Sequence, residues 1–106
     1  MNPTIEKQAK LFNALADERR LRILSMLKGC ERCACAIKEE LDLPQSSLSY
    51  HMKILCDSGL VTDRRDGKWT YYSISRSGCM FAAGLIVTIP TVDGDCCAET
   101  KEATDE

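Results

Sequence analysis

Residues 41–75, "LDLPQSSLSYHMKILCDSGLVTDRRDGKWTYYSIS", carry the pattern that decides the architecture. "DLP" is a turn, and the run "QSSLSYHMKILCDSG" after it reads as a helix closed by Gly59. Leu48, Met52 and Leu55 fall at i, i+4 and i+7, one apolar stripe that needs a core. Ser46, Ser49, Tyr50 and Lys53 recur at i, i+3, i+4 and i+7 on another face, with Gln45 and Ser47 at its start. Short hydroxyls admit close approach, and Gln, Tyr and Lys add reach to base edges and phosphates. The plainer reading is the solvated face of an ordinary amphipathic helix. His51 is the only histidine, and a satisfied polar contact or a DNA contact suits it better than general-base work. Beyond the helix, "LVTDRR" and "KWTYYSIS" are β-rich and flank "DG", a strong hairpin signal. Arg64, Arg65 and Lys68 surround that tip and suit phosphate contact or a narrow minor groove. Trp69, Tyr71 and Ile74 are expected to pack beneath the hairpin.

Upstream, "TIEKQAKLFNALAD" predicts a helix with Thr4 as N-cap and Ile5, Ala9, Phe12 and Ala16 on one face. Asp17 caps a second helix, "ERRLRILSMLK", whose Leu21, Ile23, Leu24 and Leu27 need burial, and Gly29 ends it. "ACAIKEEL" is a short third helix, and downstream "RSGCMFAAGLIVTI" makes a last one that stops at Pro90. A short helix, a tight turn and a polar-faced helix form a helix-turn-helix, whose second member enters the major groove. With the basic hairpin this predicts a mainly α chain with a β-hairpin wing: a winged helix-turn-helix of order α-α-α-α-β-β-α. Residues 1–92 then form the DNA-binding and dimerisation domain, and residues 93–106 an acidic, mobile tail.

Charge agrees once it is divided. The whole chain of 106 residues has a net charge of −2, but the tail holds six acids against Lys101 alone. Positions 1–92 therefore carry 13 basic and 10 acidic residues, a net of +3 suited to a nucleic-acid partner. No apolar run approaches the ~18 residues of a membrane span, and the start lacks the apolar stretch of a signal peptide. A cytoplasmic location follows as the expectation, with no membrane partner. Seven cysteines there are reduced thiols, available for metal or redox work. Cys30, Cys33 and Cys35 crowd six positions, and Cys96 and Cys97 are adjacent in the polar tail, so neither group suits core packing. Cys79, in an apolar helix, reads as a small buried hydrophobe, and Cys56 is open to either role. No histidine accompanies the thiol clusters, and all-sulfur sites select soft ions. Trivalent arsenic or antimony fits, with cadmium, zinc or Cu(I) as alternatives, and no organic cofactor is indicated. No C-x-x-C lies beside a βαβ pattern, so a dithiol oxidoreductase is disfavoured and catalytic residues are not expected.

Taken in order, "RLRILSMLK", "ERCACAI", "LDLPQSSLSYHMKILCDSGLV" and "DRRDGKWTYYSIS" resemble the ArsR/SmtB family of metal-responsive winged-helix repressors, over about residues 5–75. "ERCACAI" is similar to the E-L-C-V-C-D-L signature of arsenic-responsive members, which places Cys33 and Cys35 on its two cysteines. The resemblance implies a homodimer through the first and last helices, and release from double-stranded operator DNA when an inducer binds. Where some members have a third cysteine, this chain has Lys38, and Cys30 is the substitute. The zinc-sensing branch uses histidine and carboxylate ligands on the last helix, which one histidine cannot supply. The Cys96–Cys97 pair resembles the C-terminal pair of other arsenic sensors and is the alternative or second site.

Residues i and i+2 lie ~200° apart around a helix, so Cys33 and Cys35 in one helical turn cannot face a single ion. Binding is then expected to unwind the start of the third helix, which would act on the reading helix packed beside it. Two functions stay open: a repressor induced by arsenic or antimony, and a repressor that responds to thiol oxidation or persulfide.

Overall fold

The computed structural model describes residues 4–89. Five helices and three strands follow one another as α1 (Ile5–Ala14), α2 (Glu18–Met26), β1 (Arg32–Cys33), α3 (Ala34–Leu41), α4 (Gln45–Asp57), β2 (Val61–Asp66), β3 (Trp69–Ile74) and α5 (Arg76–Thr88). The expected order of five helices and a hairpin is present, with one short strand that sequence reading did not foresee. The acidic tail and its Cys96–Cys97 pair lie outside the described residues.

The helix starts follow from their caps. Thr4 Oγ1 accepts from the Lys7 N–H at 3.1 Å, and Asp17 accepts from the Arg19 and Arg20 N–H groups at 2.8 and 3.3 Å. Ser75 Oγ accepts from the Gly78 N–H at 3.0 Å. Each satisfies donors that a helix leaves free at its first turn. Gly29 and Gly59 end α2 and α4 at positive φ, +77° and +87°.

The core gathers Leu11, Ala14, Ile23, Leu27, Ile37, Leu43, Leu48, Met52, Leu55, Leu60, Val61 and Ala82. The α4 stripe of Leu48, Met52 and Leu55 is buried as its spacing predicts. In α1 the expected face is wrong. Ile5 is 76% exposed, and the chain buries Leu11 and Ala14 instead. Leu21 of α2 is likewise half exposed, while Ile23 and Leu27 are fully enclosed. Ile5, Leu21, Met80, Phe81, Ile86, Val87 and Ile89 leave apolar surface uncovered on α1, α2 and α5 and their ends.

The sheet is antiparallel with strand order β1-β3-β2. Asp66 faces Trp69 across the hairpin, so the two-residue loop is Gly67–Lys68 rather than Asp66–Gly67. Gly67 alone takes positive φ there, +65°, the first position of a type II′ turn. Val61, Tyr72 and Ile74 share the inner face, with Val61 in the core and the other two packed against it. Tyr71 lies on the outer face, and Trp69, 47% exposed, stands beside Lys68, so neither packs beneath the hairpin as expected. The start of α5 meets the end of α4 backbone to backbone: a Cβ added to Gly78 would lie 1.9 Å from the Gly59 carbonyl oxygen.

Candidate DNA interface and thiol site

Pro44 opens α4 in an extended conformation and supplies no side-chain cap. The first N–H groups of the helix therefore have no side-chain cap at the positive end of its dipole, a setting that favours phosphate. Gln45, Ser46, Ser49, Tyr50 and Lys53 are exposed along one side, and Ser47 is half-buried. Gln45 Nε2 donates to Ser49 Oγ at 3.2 Å, which orders two of these groups, and Lys53 pairs with Asp57 at 3.2 Å one turn on.

His51 does not belong to this face. Its ring is 4% exposed and sits on the core side of α4, next to Met52. Arg20, itself 5% exposed, donates from Nη1 to His51 Nδ1 at 3.0 Å. The same guanidinium donates from Nε to the Ala14 carbonyl (3.0 Å) and from Nη2 to the Asn13 carbonyl (3.1 Å). A guanidinium only donates, so Nδ1 accepts and the imidazole is neutral with its proton on Nε2. Burial, aided by the Arg20 and Arg19 charges, holds the His51 pKa below its ordinary value, while Asp17 pulls the other way. Through Arg20, His51 therefore ties the reading helix to the end of α1, buried away from the exposed face where a DNA contact was expected of it. Arg20 escaped sequence reading, although it precedes Ile23, Leu24 and Leu27 at i, i+3, i+4 and i+7, the spacing of a buried face.

The wing presents Arg65 and Lys68, exposed at its far end. Arg64 stands further down β2 and is already engaged. Its Nε and Nη2 donate to the two Glu31 carboxylate oxygens at 3.0 and 2.8 Å, and its guanidinium lies 4.6 Å above the Tyr71 ring. The hydrogen bonds from Arg64 hold the Glu31 carboxyl below the usual carboxylate range.

Cys33 and Cys35 converge without any unwinding. Cys33 is the N-cap of α3, in extended backbone (φ −72°, ψ 145°) and paired to β3 opposite Tyr71. Only Cys35 is inside the helix. The ~200° separation applies to two helical residues, and it lapses when one of them belongs to a strand. The two sulfurs lie 2.8 Å apart, one thiol donating to the other. The hydrogen bond from Cys35 lowers the Cys33 pKa, helped by the backbone N–H groups of Cys35 and Ala36; the same bond raises that of Cys35. Cys33 is thus the more acidic thiol of the pair, its anion favoured by the Cys35 thiol and by N–H groups at a helix N-terminus. Cys30 is exposed, and among the described residues it is not assembled with the pair into a three-ligand group. The nearest neighbours of α3 are β1, β3 and α2, so the thiol pair adjoins the wing sheet. Cys79 lines an apolar groove with Leu15, Leu24 and Ala82, in keeping with a hydrophobic role. Burial, then Asp63 and Asp57, raise the Cys56 pKa, which makes it a poor nucleophile.

Residues 17–63 match the sequence profile of the bacterial regulatory protein, arsR family. The arsenical resistance operon repressor of Bacillus subtilis (strain 168) is 36% identical over 99 residues, covering 88% of this chain and 92% of that protein. The chain belongs to the ArsR family. The Escherichia coli K12 arsenical resistance operon repressor is another ArsR relative, 41% identical over 78 residues that span 73% of this chain and 67% of that one. Among solved structures, the homodimeric winged helix-turn-helix DNA-binding domain of Mycobacterium bovis Mb0332 superposes with a TM-score of 0.65 at 32% identity, over 79% of this chain and 80% of that one. The fold is the ArsR winged helix, that of a DNA-binding transcriptional repressor rather than an enzyme, and no described helix is long and apolar enough to cross a membrane.

Proposed function

We propose that this repressor binds operator DNA as a homodimer and is released when trivalent arsenic or antimony is taken up by Cys33 and Cys35. The observation that carries the reading is the convergence of the two sulfurs at the start of α3, one of them on a strand hydrogen-bonded to the wing. Two arsenical resistance repressors among its relatives support the choice of ion. Thiolates are soft donors, and a ligand bound to both displaces the remaining thiol proton. A third position falls to Cys30 after a local rearrangement, to Cys96 or Cys97, or to a solvent ligand. Gln45, Ser46, Ser49, Tyr50 and Lys53 face the major groove, and Arg65 and Lys68 reach the backbone beside it. Residues 1–92 act as the DNA-binding and dimerisation domain, placed in the cytoplasm. Two reading helices in one dimer call for an inverted repeat with half-sites ~34–36 Å apart, or a multiple of that.

Fluorescence anisotropy of a labelled operator, with fully reduced protein titrated by arsenite, antimonite or cadmium, tests this. Cys33→Ser/Cys35→Ser is expected to bind operator normally and to resist release. Loss of response in Cys96→Ser/Cys97→Ser, with a normal response in the 33/35 variant, would assign sensing to the tail. The same close sulfurs support a second reading, in which a peroxide oxidises Cys33 to a sulfenic acid and the Cys35 thiol attacks that sulfur, expelling water and forming a disulfide. Release by peroxide but not by arsenite under strict reduction would select it.

A further inference from the structure

One line of residues crosses the sheet from the thiol pair to the wing. Cys33 faces Tyr71 across β1–β3, and Tyr71 faces Arg64 across β3–β2. Residues directly opposite in antiparallel strands project from the same face. Arg64 extends back along this line over the Tyr71 ring and grips both Glu31 oxygens. Glu31 lies two residues before Cys33, next to the strand that carries the first thiol of the pair. Among the ion pairs of the described residues, Arg22–Glu18 and Lys53–Asp57 each close one helical turn, and Arg64–Asp66 stays within β2. The Glu31–Arg64 pair instead spans 33 positions and joins the approach to β1 with the wing.

We propose that Glu31 and Arg64 are positioning residues that transmit occupancy of the Cys33–Cys35 pair to the wing; this rests on reading that pair as the sensing site. Capture supplies the stroke. An ion bonded to both sulfurs replaces the hydrogen bond between them with a rigid bridge and fixes the position of Cys33 relative to Cys35. Cys35 is held by the helix, and Cys33 sits on a two-residue strand, the lighter of the two attachments. Displacement of β1 carries Glu31 with it. The two-pronged bond to a planar guanidinium is directional, so it passes the movement to β2, where a single point charge would swivel. Both side chains are partly exposed, 37% for Glu31 and 53% for Arg64, so the pair contributes little to stability. Its role lies in transmission.

Glu31→Gln and Arg64→Lys test the link, the second keeping a positive charge on the wing while losing the fork. Arsenite is the probe. Its affinity for the free reduced dimer is read from arsenic–thiolate ultraviolet absorbance, and operator affinity with and without arsenite from anisotropy. Both variants are expected to bind arsenite within about twofold of wild type and to bind operator in its absence. The ratio of operator affinities without and with arsenite, roughly 5–150 in a coupled regulator, is expected to fall toward 1. By reciprocity, arsenite then binds the free and the operator-bound variant equally well. A wild-type ratio in both variants overturns the proposal. Continued release of Cys33→Ser/Cys35→Ser by arsenite overturns it by a different route, because the sensing site then lies elsewhere.

Discussion

Replacing His51 with leucine keeps most of the ring's volume and removes the Nδ1 acceptor. Arg20 Nη1, 3.0 Å away and enclosed with it, is left without that partner. Burying an unsatisfied donor costs about 1–3 kcal/mol, more when it is charged. At roughly 4–8 °C per kcal/mol for a domain near this size, the expected fall in Tm is about 4–24 °C. Glutamine offers an amide oxygen in the same region, so His51→Gln should lose less. The pH dependence gives an independent reading. Burial lowers the folded pKa of His51, so the unfolded chain, titrating near its ordinary value of ~6.5, takes up a proton that the folded chain refuses. Stability from this group is fully present above pH ~6.5 and is lost as pH falls below it. Thermal and urea unfolding of wild type, His51→Leu and His51→Gln at pH 7.5 and 5.5 measure both effects. Wild type should lose stability between the two pH values, and both variants should lose less. A His51→Leu protein as stable as wild type at pH 7.5, or an unaltered acid loss in His51→Gln, would refute the account of the buried pair.

Limited iodoacetamide labelling at neutral pH, followed by mass spectrometry, should find Cys33 modified ahead of Cys35, and Cys35→Ala should slow labelling of Cys33 by removing its donor; the reverse order would contradict the lowered pKa of Cys33. Gly78→Ala should destabilise the fold by about 1–3 kcal/mol or more, since the added methyl meets the Gly59 carbonyl, and an unchanged Tm would exclude that contact. Arg65→Ala and Lys68→Ala should each lower the slope of log affinity against log salt by ~0.9 per lost phosphate contact. Arg64→Ala should lower it less, because Glu31 already occupies that fork; equal losses at all three positions would show Arg64 free to reach DNA.

Periodicity made α4 and its two faces readable, because a buried stripe of Leu48, Met52 and Leu55 leaves only one way to orient the helix. Caps at Thr4 and Asp17 were equally plain, since hydroxyl and carboxylate oxygens are chosen there for a local reason. Local rules could not reveal β1. A two-residue strand has no periodicity, and Cys33 is extended because β3, 38 residues later, supplies its partner. That one backbone assignment reversed the argument about the thiols, since helical spacing had forbidden the convergence that the strand permits. Arg20 was missed, and His51 was left between a satisfied polar contact and a DNA contact, for a related reason. Each looks polar alone, and the bond between them, with those from Arg20 to the Ala14 and Asn13 carbonyls, makes burial tolerable. Arg64 was assigned to the hairpin tip from its neighbours in sequence, whereas cross-strand register and Glu31 place it at mid-strand.

The contact between Gly59 and Gly78 has a bearing on how two copies would measure DNA. At this joint the main chain of α5 rests on the loop that closes α4, with no side chain between them to act as a compressible shim. The Ser75 N–H donates to the Leu60 carbonyl at 2.9 Å, three residues earlier on the same ledge. A helix seated in this way cannot roll without taking the end of the reading helix with it. In the proposed homodimer, with α5 at the interface, each α4 would stand at a fixed distance from the twofold axis, like the two points of a pair of callipers set by one screw. The bite of the callipers, and so the spacing of the half-sites they fit, would be determined by two residues that never approach the duplex.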